Sequence, residues 1–274
     1  MVALIDSDSI LYIVGWNLKD NLDPGAIRAS CDSIVDMTLT LVGADQYIGT
    51  FSSEKNFRHR IYKYAPYKGT RKEKPDWYVI AEPICKQHLI QKWGFMVPED
   101  MEADDVLSLA AEWYRKEGVP YVVCSPDKDL NQVPGLHFNY SKTTTISAGQ
   151  VESIGIVNIT EEEAFYNLCL QYLMGDDTDN VHGIPGVGIV KAKAILKEVE
   201  PVEYLITIRN AYMKYFGVYY GNEIFQQTRD TVQLLNSKHT LAHAINHDFH
   251  YKLLLNVKPY SHIPVSGYDL LQQD

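Results

Sequence analysis

Short aliphatic and β-branched runs punctuate the first half of the chain. Val2 to Ile5 closes on Asp6, and Gln46 to Phe51 reads as a second strand. Tyr121 to Cys124 follows the break at Gly118-Val119-Pro120, and Leu136 to Tyr140 is a fourth candidate. Between them lie stretches with helical spacing: Ile27 to Leu41, Ile80 to Lys92 and Ala103 to Lys116. Strands alternating with helices predict an α/β domain with a mostly parallel central sheet flanked by helices. In open sheets of that kind the site forms beyond the carboxyl ends of the strands, where Asp6 and the residues after Cys124 would sit. From about Thr160 the pattern turns to helix after helix: Glu161 to Met174, Gly188 to Glu198, Pro201 to Tyr215 and Asn222 to Asn236. Thr160, with Glu163 three residues on, reads as a capping box. The expected organisation is therefore an α/β core over 1–159 and a helical module over 160–274. The last stretch, from about Asn246, shows no clear period, and no internal repeat is visible.

Composition narrows the class without naming the chemistry. With 274 residues, 46% of them hydrophobic, the chain can bury a full core. Cys31, Cys85, Cys124 and Cys169 are far apart and read as reduced, mostly buried thiols rather than a zinc or redox motif. Nothing resembles a signal peptide or a bilayer-spanning run, so a soluble, cytoplasmic protein is expected. The net charge of −10 argues at first sight against nucleic acid. Carboxylates gathered to hold divalent cations would account for it, because bound cations reverse the sign of such a surface.

Three acidic clusters carry the candidate chemistry. Glu102, Asp104 and Asp105 crowd the start of an apolar-periodic run, where acids also serve a helix N-terminus; taken alone, that simpler reading is the better one. Asp127 and Asp129 follow a strand directly, and a turn explains them almost as well. Asp176, Asp177 and Asp179 follow a helix C-terminus, where carboxylates oppose the macrodipole and a cation would compensate. With Asp6, these groups stand at ends of elements that an α/β fold brings to one edge. Oxygen ligands without histidine or cysteine select magnesium or manganese. Two such ions are the usual apparatus of phosphodiester hydrolysis.

The order of motifs resembles the phage and bacterial 5′-nucleases of the flap endonuclease superfamily, up to about Leu196. It rests on Leu4-Ile5-Asp6, Phe57-Arg58-His59, Tyr67-Lys68-Gly69-Thr70-Arg71, Glu102-Ala103-Asp104-Asp105, Asp127-Lys128-Asp129, Met174-Gly175-Asp176 through Asp179-Asn180, and Gly183-Ile184-Pro185-Gly186-Val187-Gly188. The resemblance implies a PIN-like 5′-nuclease core. It implies a 5′-3′ exonuclease or 5′-flap endonuclease of replication or repair, working on DNA 5′ ends, flaps and junctions as a monomer with two Mg²⁺ or Mn²⁺. RNA primers in RNA–DNA hybrids are an alternative substrate, and a catalytically silent DNA-binding homologue is a second alternative. By the resemblance, Asp6, Glu102, Asp104, Asp105 and Asp127 form the tighter metal site, and Asp129, Asp176 and Asp179 lie on the side of the second ion. Asp8 and Asp177 fall outside the ligand pattern and are not expected to ligate. The family usually has an aspartate before the Phe57-Arg58 motif, whereas this chain has Phe51-Ser52-Ser53-Glu54, which leaves that role to a water at Ser53 or to Glu54.

The segment from about 55 to 100 is the expected clamp over the site. Arg58, Lys63, Lys68, Arg71 and Lys72 interleave there with Tyr62, Tyr64 and Tyr67, and Trp77 and Tyr78 stand just beyond. Basic residues with ring faces suit single-stranded DNA, although a solvated charged helix explains such a run too. By the resemblance, Lys68 and Arg71 contact the scissile phosphate, with Lys68 offsetting charge in the transition state. Pro75 and Pro83 interrupt the interval to Glu102, so a short clamp is expected rather than a long two-helix arch. Gly183, Gly186 and Gly188, followed by Lys191 and Lys193, resemble a helix-hairpin-helix over about 175–198 whose amides hold a DNA phosphate. In the family this loop also holds K⁺. The histidines read as ordinary polar or packing residues, with His182 the one candidate for a DNA contact.

Overall fold

In the computed structural model of the chain, residues 1–62, 65–142, 155–236 and 257–260 are described. Strand β1 (Val2–Asp6) leads directly into α1 (Ser7–Asn17), then α2 (Pro24–Val42), β2 (Gln46–Thr50), α3 (Arg58–Ile61), α4 (Asp76–Trp93) and α5 (Ala103–Glu117). Next come β3 (Tyr121–Cys124), β4 (Gly135–Phe138), β5 (Ile156–Ile159) and α6 (Glu161–Met174). The remainder is β6 (Gly175–Asp176), β7 (Val181–His182), α7 (Ile189–Leu196), α8 (Tyr204–Phe216), α9 (Val218–Asn236) and β8 (Lys258–Pro259).

The main sheet has the order β5-β4-β3-β1-β2-β8. Its four central strands are parallel, and β5 and β8 are antiparallel edges. Strand β1 is buried along its whole length, as a central parallel strand covered on both faces must be. Alternation sorts its side chains: Ala3 and Ile5 pack with Val14, Cys31, Val35 and Cys85 of α1, α2 and α4, while Val2 and Leu4 pack with Val106, Leu107 and Ala110 of α5. Helices α2, α4 and α5 each stop at a left-handed glycine, Gly43, Gly94 and Gly118. A third core joins α6 to α9 through Leu173, Ala192, Ile208, Tyr212 and Phe225. All four cysteines are buried and free. Among the described residues no helix is long and apolar enough to cross a membrane.

The structure departs from the expected layout in three places. Helix α1 was not foreseen, because the acids and serine that begin it read as the end of a strand; Asp6 caps it by accepting from the Asp8 N–H. Pro83 lies inside α4 without ending it, and α4 packs through Ala81, Cys85 and Leu89 against α1 and α2. The segment expected as a clamp is therefore in part a helix of the core. The boundary at 159 also gives way at the far end of the chain, where Lys258–Pro259 pair with β2 and the Tyr260 hydroxyl donates to Asp36 of α2 at 2.6 Å. Lys63 and Tyr64, and most of the stretch after Asn246, lie outside the described residues.

Candidate active site

The carboxyl ends of β1 and β3 open onto a cleft of about 460 Å³. Asp6, Glu102, Asp104, Asp127, Asp129, Asp176 and Asp179 all line it, together with Lys68 and Arg71. Each acid arrives from the end of an element. Asp6 ends β1 and caps α1, and its Oδ2 accepts from Ser9 Oγ at 2.8 Å and Ser125 Oγ at 2.7 Å. Glu102 stands at the N-cap of α5 and Asp104 in its first turn. Asp127 caps the short 3-10 helix Lys128–Gln132 by accepting from the Asp129 N–H at 2.9 Å. Asp176 accepts from the Thr178 and Asp179 N–H groups at 2.9 and 3.3 Å, folding the loop after α6 back toward the cleft.

Lys68 and Arg71 are held by stitching between two distant loops. The Tyr62 hydroxyl donates to the Asn180 carbonyl at 2.7 Å, Asn180 Nδ2 donates to the Pro66 carbonyl at 3.1 Å, and Thr70 Oγ1 donates to the Asp177 carbonyl at 3.1 Å. Lys68 adopts a left-handed φ of 56°, and its ammonium pairs with Glu102. A lysine in that region is uncommon and is held by its surroundings. Arg71 approaches Asp179 at 3.9 Å. Glu102 also accepts from Asn56 Nδ2 at 2.8 Å and from the Tyr67 hydroxyl at 3.0 Å.

Ten carboxylates line the cleft against five cationic side chains. The imbalance is felt: burial and the charge of Asp8 push Asp6 up to about 7, against the bonds from Ser125 and Ser9. Burial pushes Asp179 up to about 6, with Asp176 and Glu102 adding to the rise and Lys68 opposing it. Divalent cations would relieve this excess, and the donor set, all oxygen from carboxylates, suits hard ions. Among the described residues no three acids stand close enough together to hold one ion as a ready-made cage. They line the walls of a shared cleft, which suits ions that keep several waters and engage one or two carboxylates each.

Two expected site residues are buried away from this cleft. Asp105 is fully buried, and its two oxygens accept from Arg58 at 2.5 and 2.6 Å. It also accepts from the Glu102 N–H at 3.0 Å, closing the first turn of α5. Arg58, expected on DNA, has no exposed surface. Burial alone would lower its pKa, but the bonds to Asp105 and the charges of Asp104 and Glu102 hold it above its ordinary value. The pair is a buried strut that sets the start of α5. Gly183 is a second kind of correction: a Cβ there would meet the Met174 backbone at 2.1 Å, so the close approach it permits is to the chain itself. Gly186, left-handed at φ 74°, and Gly188, the N-cap of α7, remain open to solvent. Lys191 donates to the Gly186 carbonyl at 2.8 Å, while Lys72, Lys193, His182 and Asp177 are exposed and lie outside the cleft lining.

Asp8, His59, Lys74, Glu82, Lys86 and Lys128 line the cleft without having been singled out for it. Asp8 and Lys86 come from α1 and α4, whose facing side chains no short motif marks. His59 stands edge-on to Tyr67 with ring centroids 5.2 Å apart.

Residues 1–162 match the family model described as the 5′-3′ exonuclease N-terminal resolvase-like domain. Over 215 residues the chain is 27% identical to the 5′-3′ exonuclease of Buchnera aphidicola subsp. Schizaphis graminum, covering 74% of this chain and 71% of that one. Identity to the 5′-3′ exonuclease of Mycoplasma genitalium is 28% over 225 residues, 74% of each chain. Identity to DNA polymerase I of Bacillus caldotenax is 29% over 219 residues, 75% of this chain but 24% of that longer protein. The fold is similar to that of bacteriophage T5 5′-exonuclease with divalent zinc bound, at a TM-score of 0.65 and 15% identity, covering 93% and 97% of the two chains. It is likewise similar to the T5 flap endonuclease in a pseudo-enzyme–product complex with DNA and metal ions, at a TM-score of 0.66 and 15% identity, covering 93% and 99%.

Proposed function

Because the chain belongs to the 5′-3′ exonuclease family, we propose that it is a divalent-metal-dependent nuclease that hydrolyses DNA from 5′ ends and at 5′ flaps. One observation carries this reading: seven carboxylates from four separate stretches of chain line one cleft, with Lys68 and Arg71 beside them. When bound, two Mg²⁺ or Mn²⁺ ions would supply an activated water and offset charge on the attacked phosphate and the leaving oxygen. Asp6, Glu102, Asp104 and Asp127 would face one ion and Asp129, Asp176 and Asp179 the other, with one or two of each group bound directly and the rest through the ion's waters. Lys68, pinned above Glu102, offers its ammonium to the scissile phosphate as negative charge builds there. Arg71 offers a planar fork to a neighbouring phosphate oxygen.

The rest of the DNA lies along surfaces that read charge and shape. The amides at Gly186 and Gly188 before α7, with Lys193, take a backbone phosphate of the duplex, and carbonyls of the same loop would accept K⁺. Lys72 lies on the exposed stretch between the phosphate-facing turn and α4. Such contacts carry no base code, so substrate choice follows strand structure. We assign the enzyme, as a monomer, to cytoplasmic replication or repair, with a phage replication system as the specific setting.

The test is cleavage of 5′-labelled blunt duplex, 5′-flap and RNA-primed duplex in Mg²⁺. Short 5′ products from the duplex and the flap are expected, abolished by chelator and reduced at least about 100-fold in Asp104→Asn/Asp179→Asn, as for loss of groups acting on transition-state charge. Release from the RNA-primed strand would extend the substrate class to hybrids. Wild-type rates in the double variant, or products formed in chelator, would reject the assigned site. A wild-type protein that binds DNA and cuts none of the three would be a silent homologue.

A further inference from the structure

Glu54 aside, two acids of the cleft lie outside every motif, Asp8 and Glu82; Glu82 is engaged by the Lys74 ammonium at 2.9 Å, which leaves Asp8 to be explained. It follows Asp6 by two residues and sits in the first turn of α1, where an acid has an ordinary role near the positive end of the helix. That role is met by any outward-pointing carboxylate and does not require it to line the cleft. Asp8 nevertheless lines it. The parallel register pairs Asp6 with Thr50, so the chain just beyond β1 lies beside the chain just beyond β2. There Asp8 Oδ2 accepts from the Ser52 N–H at 3.0 Å. Ser52 Oγ accepts from the Ala103 N–H at 3.0 Å and its hydroxyl also bonds Asp8, whereas Ser53 Oγ is turned to the Lys55 and Met101 carbonyls at 2.7 and 2.9 Å. Asp8 is therefore a carboxylate at the strand-end corner between β1, β2 and the start of α5, facing the same cleft as Asp6 and Glu102.

We propose that Asp8 is a carboxylate of the divalent-cation site, reaching it from α1 at the corner where the end of β2 carries Ser52. The inference rests on the metal-dependent reading above. Two consequences follow. With residue 8 supplying a carboxylate at this corner, neither Ser53 nor Glu54 has to supply one. Moving the carboxylate across the corner, from residue 8 to residue 52, should preserve cation binding.

Binding of Mn²⁺ to the DNA-free full chain, followed by electron paramagnetic resonance, tests this without reference to cleavage. The Asp8→Asn variant keeps an oxygen to accept from Ser52 and loses only the charge. It should bind Mn²⁺ at least about tenfold more weakly, as is typical when a supporting group of a metal site is removed. The Asp8→Ser/Ser52→Asp double variant should recover affinity to within about threefold, less than the tenfold loss expected for a missing supporting group. It decides the question if Asp8→Asn does not fold, as judged by melting in chelator. Wild-type affinity in Asp8→Asn, or no recovery in the folded double variant, overturns the assignment of Asp8 alone. A wild-type chain that takes up no Mn²⁺ overturns the metal-dependent reading, and this inference with it.

Discussion

Arg58 and Asp105 occupy motifs that read as DNA contact and metal ligand, yet they spend their charge on each other. Both side chains have no exposed surface, and two bonds of 2.5 and 2.6 Å join them. Removing one partner of such a pair leaves a bare charge in a medium that cannot solvate it, at a cost of about 3–5 kcal/mol. Arg58→Met should therefore lower the unfolding free energy by about that much in chelator, without DNA. Adding Asp105→Asn should return part of the loss, because the stranded charge goes with it. Thermal or denaturant melting of the two variants checks this. An Arg58→Met chain as stable as wild type but weak on DNA would restore the direct-contact reading. Residue type and motif order could not separate these roles, since a guanidinium and a carboxylate look alike in sequence whether they face a ligand or each other.

At the scale of elements, the strands and most helices were legible because burial on two faces and burial on one leave different periods. The short β-branched and aromatic runs became β1 to β4, with β1 and β3 buried throughout, and the amphipathic 103–117 became α5 with its acids in the first turn. What escaped was set by contacts remote in sequence. Helix α1 begins at a strand-end aspartate, α4 tolerates Pro83 because its neighbours hold it, and β5 and β8 are short edges whose pairing partners are fixed only by the sheet. The loop between α6 and α7 carries the same lesson in its glycines. Gly175 and Gly183 interlock, since a Cβ on either would come within about 2.3 Å of the other's strand, whereas Gly188 meets nothing within 4 Å. Gly183→Ala should thus destabilise the helical module by more than the 1–3 kcal/mol usual for overpacking, because the obstacle is backbone. Gly188→Ala should melt like wild type, its φ of −95° being open to any residue, and should weaken duplex binding if its amide meets a phosphate. Equal melting temperatures for the two variants would contradict the interlock.

For the whole molecule, seven of the eight acids that the sequence suggests for a metal site line one cleft, because element ends of an α/β sheet gather at one edge. It could not rank them, because rank depends on how deeply each carboxylate is set among the others. That depth makes folding sensitive to pH when no cation is bound. Asp6 and Asp179 keep their protons up to about 7 and 6 in the folded chain, and Asp8 is raised as well, chiefly by burial. Unfolded, the same groups ionise near 3.8. Between these limits the folded state binds more protons than the unfolded one, so its stability falls as pH rises from about 4 to about 7. His137, held low by burial, works the other way below its ordinary 6.5, one group against three. Asp32 and Asp100, held low by their basic partners, change their contribution only below about pH 4, under the ordinary carboxylate value. The melting temperature in chelator should therefore drop between pH 5 and pH 7.5. Mn²⁺ should raise it more at pH 7.5 than at pH 5, because ions and protons compete for the same oxygens. A melting temperature that climbs through this window in chelator, or an Mn²⁺ shift that is larger at pH 5, would mean that these carboxylates are not crowded together in the folded protein.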